Sequence, residues 1–432
     1  MQQSNDDRIR IADCAFPKPF TYGLEFNAPA HGTWNIVHIG FKIPQAHQIY
    51  VCADNCMRGV VMTAAEMGEL ERFSSVILEE DDMVHSGRLE ETTIEGITDV
   101  LKSLEKVPPV VIVFPVCVHR FLGCDMNYIY DELGKRFPDV KFVRGFMDPV
   151  MQKRSTTPDQ RLRKAMFDII PELPSDGSVS VIGCDMKMDE ANDIKKILSL
   201  SGKVIRDEAD IAALDDYYSL GRAEYFVCSY PAGLLGTSAL SVRTKKPYKY
   251  LPFTFDLDAV EEGLRSLEVD MPDGFIEDGK KACEEAAARL KNAIGNTEIQ
   301  LDYTAIPRPL SLARFLLKRG FNLTAVYADG FDPDEQKDFE WLAENNPDLL
   351  VRSTVHVQGR RPARSEDKIL AIGQKAAWFT GSGFFVNMIE GGGLYGYSGI
   401  EKFLGLMEEA YNVPKDTRDI IPRKGLGCCS LV

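Results

Sequence analysis

The sequence predicts an α/β fold of three Rossmann-like domains with mostly parallel sheets. Short β-branched runs alternate with helical periodicity along nearly the whole chain, which is the pattern of parallel strands joined by crossover helices. The 432 residues are too many for one ordinary domain. A hydrophobic content of 44% with 27% charged residues is typical of a soluble globular enzyme.

The first predicted domain covers residues 1–172. Thr157, Pro158 and Gln160 form a capping box with proline at the first helical position, which predicts a helix to about residue 169. The other predicted elements of this domain are strands at 48–51, 73–78, 110–116 and 140–144 and helices at 57–67, 91–104 and 126–136.

A linker is predicted at 171–177, where the sequence reads PELPSDG. It opens a second domain at residues 173–296, and a third domain covers residues 297–432. The second domain has predicted strands at 178–183, 225–227 and 248–251 and helices at 189–200 and 277–293. The third has strands at 298–303, 323–327, 351–355 and 377–379, a helix at 310–319, a glycine-rich stretch and a closing helix.

The charge of the chain excludes several classes of partner. A formal net charge of -15 argues against general binding to nucleic acid or to anionic membranes, because both need a basic face. The N-terminal residues are polar and acidic, without the apolar segment of a secretory signal. The longest apolar run, 108–118, is too short to span a membrane and suits a buried strand. We therefore expect a cytoplasmic protein.

Ten cysteines in such a chain favour thiolate chemistry or metal binding over disulfides, which are rare in a reducing cytosol. Four of them, Cys52, Cys117, Cys184 and Cys228, each follow a predicted strand. They would lie at the carboxyl ends of the strands, where open α/β sheets bind their ligands. A cysteine that only packs in the core has no reason to prefer this edge, so the placement favours function over packing.

Two cysteine pairs predict a metal site. Cys52 and Cys56 enter a predicted helix, and Cys117 and Cys124 leave a predicted strand. Thiolates near helix N-termini are stabilised by the unpaired amides there, which suits an anionic iron–sulfur cluster. Zinc is the rival occupant, because four thiolates also form a tetrahedral structural site, and the spacing does not choose between the metals. His119 lies between two of these cysteines and is a candidate cluster ligand or hydrogen-bond donor to the site.

The first 170 residues resemble the N-terminal domain of nitrogenase component 1 proteins. That superfamily includes the molybdenum–iron protein subunits, their cofactor scaffolds and the dark-operative protochlorophyllide reductases. The similar segments are Asp13–Phe16, His31–Ile39, Phe73–Asp82 with Ser86–Gly87, and Val113–Cys117 with Leu122–Asp125.

In that family three cysteines hold a cluster at the subunit interface. The resemblance implies that Cys14, Cys52 or Cys56, and Cys117 are its ligands here. Cys124 stands where the family usually has an acidic residue, and it is an additional candidate of this chain. The cluster would be 4Fe–4S or resemble the 8Fe–7S P-cluster.

Similarity continues more weakly beyond the first domain. Cys228, with Lys246–Tyr248, falls where nitrogenase α subunits carry the cysteine that binds the iron–molybdenum cofactor. This implies a second metallocofactor near Cys228 and a substrate pocket near Cys184 and Cys228. The cofactor-anchoring histidine of the family is replaced by the sequence at 385–388, and its catalytic "S-Q-S-L-G-H-H" stretch by that at 147–154. Dinitrogen reduction is therefore not expected.

The chain has no Walker A sequence, because 233–237 lacks the required lysine. The resemblance implies a homodimer in an anaerobe that receives low-potential electrons from a separate ATP-hydrolysing iron protein and reduces a small molecule. A metallocluster assembly scaffold of the cofactor-maturation type is the alternative, and a zinc-stabilised binding protein is a third hypothesis. The sequence identifies no catalytic residue and no substrate.

Overall fold

The computed structural model describes residues 6–21, 35–84, 88–147, 156–360 and 367–416. Within these ranges the strands form three sheets. In chain order the strands are β1 (Arg8–Arg10), β2 (Ala46–Cys52), β3 (Phe73–Ile77), β4 (Val110–Pro115), β5 (Lys141–Arg144), β6 (Val179–Ile182), β7 (Ile205–Asp207), β8 (Tyr225–Cys228), β9 (Tyr248–Tyr250), β10 (Glu298–Asp302), β11 (Asn322–Tyr327), β12 (Leu350–Arg352), β13 (Ile369–Ile372) and β14 (Phe385–Val386).

Helices connect the strands. They are α1 (Ile36–Gly40), α2 (Asp54–Glu66), α3 (Glu80–Val84), α4 (Arg88–Ser103), α5 (Cys117–Phe121), α6 (Met126–Arg136), α7 (Pro158–Asp168), α8 (Asp193–Leu200), α9 (Leu214–Ser219), α10 (Leu234–Thr244), α11 (Leu257–Arg265), α12 (Phe275–Ile294), α13 (Pro309–Lys318), α14 (Gln336–Asn345), α15 (Gln374–Thr380) and α16 (Gly396–Asn412). The predicted capping box opens α7, where Thr157 accepts from the backbone of Gln160 and the Gln160 side chain accepts in return. No helix in the described ranges is long and apolar enough to cross a membrane.

The first sheet has the order β3-β2-β4-β5 and the second the order β7-β6-β8-β9, and every pairing in both is parallel. The third sheet has the order β1-β12-β11-β10-β13-β14 and is parallel except at β1. The central strands β2 and β4 are almost wholly buried, and β4 reads as a continuous apolar run, as expected for a parallel strand covered on both faces. The predicted α/β fold class with mostly parallel sheets is confirmed.

The second sheet packs between the other two. Ile182 and Phe226 belong to a buried cluster shared with the first sheet. Val181 and Val227 belong to a cluster shared with the third sheet. Alternate residues of a strand point to opposite faces of the sheet. Ile182 and Phe226 therefore face the first sheet, and Val181 and Val227 face the third. The domain boundaries at 172 and 296 remain a prediction.

The N-terminal segment lies elsewhere than the sequence suggested. β1 pairs antiparallel with β12, with Arg8 opposite Arg352, and so forms an edge of the third sheet. The next residues continue along β12, since the Ile11 amide donates to the Leu349 carbonyl. The sequence analysis assigns residues 8–14 to the first domain, whereas residues 8–10 pair with the third sheet, because a long-range strand pairing is independent of chain order.

Candidate functional site

The carboxyl edge of the first sheet carries the thiols that the sequence singled out. β2 pairs with β3 on one side and β4 on the other, and the order of the strands reverses there, which is the switch point where open α/β sheets bind ligands. Cys52 ends β2, and Cys117 starts α5 directly after β4. In the register Val51 lies opposite Pro115. The structure therefore brings Cys52, Cys56 and Cys117 to the same edge.

Cys52 and Cys56 differ in accessibility. Cys52 is fully buried, with its Sγ against the sulfur of Met57. Burial, followed by the neighbouring Cys56 and Asp54, raises the pKa of Cys52 to about 12. Cys56 lies in the first turn of α2 and is exposed. The geometry thus favours Cys56 over Cys52 as a group that an incoming metal reaches.

Cys117 and Cys124 flank the short helix α5, and both are half-buried. The Cys124 amide donates to the carbonyl of His119, which closes the turn after the helix. Burial raises the pKa of Cys124 to about 12, and the nearby carboxylate of Glu90 adds to this effect. A carboxylate neighbour opposes thiolate formation, so Cys117 is the better candidate ligand of the two.

His119 is buried beneath the same edge, with 2% of its surface exposed. Its Nε2 lies 3.1 Å from Thr93 Oγ1 on α4, while Nδ1 is buried and makes no hydrogen bond of ordinary geometry. Burial lowers the pKa of His119 to about 4, against the opposing effects of the Val116 backbone and Glu90. A neutral imidazole carries one N–H donor, and the role of His119 as a hydrogen-bond donor to the site stays a prediction.

Cys14 lies apart from this edge. It follows the β1 segment on the third sheet and packs in the core cluster with Ile11 and Phe20. Burial raises the pKa of Cys14 to about 12, and Asp13 adds to the shift. The resemblance implied a site shared by Cys14 and Cys117. The Cys14 segment follows a strand of the third sheet, and the shared site stays a prediction.

A single chain does not assemble a complete metal site from the residues that the structure describes. No group of three or more histidine, cysteine, aspartate or glutamate side chains converges there in a metal-binding arrangement. Four thiolates are also the usual ligand set of a structural zinc site, and the described residues of one chain do not bring four together, so this geometry does not choose between zinc and an iron–sulfur cluster. A cluster at the first-sheet edge would need more ligands than the described residues of one chain bring together there.

Cys228 and Cys184 lie at the carboxyl edge of the second sheet. Cys228 is fully buried, and its thiol donates to the Tyr230 carbonyl at 3.3 Å. The Gly183 backbone approaches this sulfur so closely that an added Cβ would stand 3.3 Å from it. The protein's own backbone therefore fills the space around the thiol. Cys184 is half-buried, and burial and the carboxylate of Glu390 raise its pKa well above the usual value. These residues do not fit a second metallocofactor ligated by Cys228.

The sequence reasoning missed a buried charge cluster beside Cys184. Arg163 of α7 contacts Asp185, which follows Cys184, and also Asp159 one turn earlier on its own helix. Asp185 follows a buried strand, at the carboxyl edge of the sheet. The argument that singled out the cysteines, that ligands bind at this edge, would therefore have singled out Asp185 as well. Arg163 had no comparable signal, because its burial depends on the docking of α7 against the second sheet.

Two solved structures share the fold described above. The structure described as "Nitrogenase Cp1 at pH 6.5" matches with a TM-score of 0.68 and 13% identity over 91% of this chain and 94% of that chain. "Nitrogenase Cp1 at pH 5" matches with a TM-score of 0.60 and 11% identity over 90% of this chain and 89% of that chain. No protein-family model matches the chain, and neither does any curated protein.

The chain is therefore a three-sheet α/β protein of the nitrogenase component 1-like fold. The resemblance in the first 170 residues is confirmed as a likeness of fold. Identities of 11 to 13% carry the fold and no activity. Of the residues behind that resemblance, 31–34, 86–87 and 148–154 lie outside the described residues.

Proposed function

We propose that this chain is a nitrogenase-like redox component that holds an iron–sulfur cluster at the carboxyl edge of its first sheet. It receives low-potential electrons there from an ATP-hydrolysing iron protein and reduces a small molecule. The observation that carries the proposal is the presence of two accessible thiols, Cys56 and Cys117, at the switch point of this sheet. The overall likeness to nitrogenase Cp1 supports the same function.

The number of ligands supports a homodimer. Clusters of the 4Fe–4S type are commonly held by four cysteine thiolates. Cys56 and Cys117 supply two from each chain, so two copies related by a two-fold axis supply four. His119, buried beneath the edge, would act as a hydrogen-bond partner of a cluster ligand.

The surface around these thiols also suits a second copy of the chain. Large apolar side chains on this side of the first sheet are exposed, among them Ile77 at 42%, Phe121 at 66%, Leu122 at 52% and Tyr128 at 50%. Ile77 ends β3, while Phe121 and Leu122 follow Cys117 on and after α5. Large exposed apolar side chains near candidate ligand thiols suit a protein interface. Covering it would exclude water from the cluster.

The electron source is proposed to be a separate protein. The segment 233–237 lacks a phosphate-binding lysine, so ATP hydrolysis would reside in a partner iron protein. When bound, the cluster supplies one-electron transfer at a potential that burial and hydrogen bonding set. The buried state of Cys228 argues against an iron–molybdenum cofactor at that residue, and the substrate is therefore proposed to be other than dinitrogen.

Electron transfer is the step that distinguishes the reductase from the assembly scaffold. The anaerobically purified protein is mixed with a nitrogenase-type iron protein and MgATP, and the cluster is followed by electron paramagnetic resonance. A reductase component is reduced only when MgATP is present and then returns its electrons to a small-molecule acceptor. A scaffold instead transfers iron to an acceptor protein without ATP-dependent reduction, and that result would contradict the proposal.

A further inference from the structure

A second feature at the carboxyl edge of the first sheet is a cleft of about 460 Å³ beside the end of β5. Its charged lining consists of three cationic side chains, Arg144, Arg161 and Lys164, and one carboxylate, Asp168. Lys164 and Asp168 pair with each other at 2.8 Å, which leaves the two guanidinium groups as the excess charge. A net positive cleft is unexpected in a chain of net charge -15.

The two guanidinium groups are held in place by neutral partners. Arg144 donates to the amide oxygen of Asn127 at 2.7 Å and lies over the Tyr130 ring at 4.9 Å. Arg161 donates to the Thr156 hydroxyl at 3.0 Å and lies 6.0 Å from the centre of the Phe146 ring. Among the described residues neither arginine makes an ion pair with a carboxylate. Aromatic and amide contacts orient a guanidinium but leave its charge uncompensated.

Another charged cleft of the molecule differs in this respect. It has about 410 Å³ between α12 and α13 and is lined by Lys280 and Arg319 among others. Lys280 contacts two carboxylates at 2.8 Å, and Arg319 forms a two-point contact with Glu284. These two cations are thus neutralised within the protein. Arg144 and Arg161 of the β5 cleft, by contrast, have no carboxylate partner among the described residues, so their charge is available to a group from outside.

We propose that the β5 cleft binds a small oxyanionic molecule, one that carries carboxylate or phosphate groups, through Arg144 and Arg161. A planar guanidinium pairs with two oxygens of such a group at once, which makes arginine the preferred cation for this recognition. The volume suits a small molecule, and the position at strand ends is where open α/β sheets bind ligands. The inference goes beyond the proposed redox function and does not depend on a cluster.

The test measures binding of citrate and of inorganic phosphate to the full chain by isothermal titration calorimetry at constant ionic strength. We expect saturable binding of at least one of the two, and the stronger one identifies whether carboxylate or phosphate chemistry is recognised. In the variant R144Q/R161Q we expect affinity to fall by roughly tenfold or more for each guanidinium removed. The variant K280Q/R319Q removes the same charge from the other cleft and should bind as the wild type does.

A second variant separates lost contacts from lost folding. R144K/R161K keeps both charges but not the two-point geometry, so its affinity should lie between those of the wild type and R144Q/R161Q. Far-ultraviolet circular dichroism of each variant verifies that the fold is intact. Absence of saturable binding to the wild type would overturn the proposal. Unchanged binding in R144Q/R161Q, or an equal loss in K280Q/R319Q, would also overturn it.

Discussion

Arg163 and Asp185 form a buried two-point ion pair in which both side chains are only 2% exposed. The guanidinium nitrogens donate to the two carboxylate oxygens at 2.6 and 3.1 Å. Because Arg163 lies on α7 and Asp185 follows β6, the pair fixes α7 against the edge of the second sheet. Asp159 adds a further contact to the same guanidinium at 2.6 Å.

Removing one partner of this pair should be strongly destabilising. Asp185→Asn leaves the Arg163 charge buried with less compensation, and we expect the free energy of unfolding to fall by about 3–5 kcal/mol. Denaturation by urea, followed by circular dichroism, measures the change. Glu261→Gln, which removes the carboxylate from contacts with Arg265 and Lys280 on the surface, should cost no more than about 1 kcal/mol. Equal effects of the two variants would contradict this account of the ion pair.

His47 predicts a dependence of stability on pH. Its side chain is 4% exposed, and Nε2 lies 2.8 Å from Ser74 Oγ. Burial, together with the nearby cation of Arg72, lowers the pKa of His47 to about 4 from its ordinary 6.5. Between these values the unfolded chain takes up a proton that the folded protein does not, so stability is lost as the pH falls below about 6.5.

The variant His47→Gln measures this contribution. We expect the wild type to lose about 2 kcal/mol more stability than the variant when the pH is lowered from 7 to 5. Above the unfolded pKa the contribution is constant, so the two proteins should respond alike between pH 7 and 8. Parallel curves of unfolding free energy against pH across the acid range would show that His47 takes up its proton equally in the folded and the unfolded protein. That result would contradict the lowered pKa of His47.

Two glycines near the C-terminal end of the described chain should respond in opposite directions to alanine. Gly393 has a φ of 74°, and an added Cβ would stand 1.9 Å from the Lys187 carbonyl oxygen. Gly393→Ala should therefore cost more than about 2 kcal/mol. Gly405 lies inside α16, where an added Cβ meets nothing within 4 Å. Gly405→Ala should stabilise the protein by about 1 kcal/mol, since glycine is a poor helix former. Thermal unfolding of both variants measures the two shifts, and shifts of the same sign would be inconsistent with the backbone described here.

Local sequence patterns predict the strand ends well and their long-range partners poorly. Cys117 follows the apolar run 110–116 and Cys52 follows the shorter 49–51, and such runs indicate buried parallel strands. Cys14 lies beside β1, whose partner β12 is at the other end of the chain, and no local pattern reports that pairing. The grouping of Cys14 with Cys117 came from the family resemblance and not from a local pattern.

The state of each thiol also depends on tertiary contacts. Cys228 has the same local setting as Cys117, directly at a strand end, but a close approach of Gly183 and Gly233 closes the space around it. Arg144 and Arg161 read as ordinary surface cations in the sequence. Only the fold shows that they share a cleft and that neutral side chains are their partners among the described residues.

The measurement that tests the central claim most directly is the iron and acid-labile sulfide content of the chain after anaerobic purification and reconstitution. We expect a brown wild-type dimer with equal amounts of iron and sulfide, and loss of both from Cys56→Ala and Cys117→Ala. Cys14→Ala and Cys283→Ala change thiols that are buried elsewhere, and these variants should retain the wild-type content. A colourless wild type, stoichiometric zinc, or a Cys117→Ala variant with undiminished iron would contradict the account.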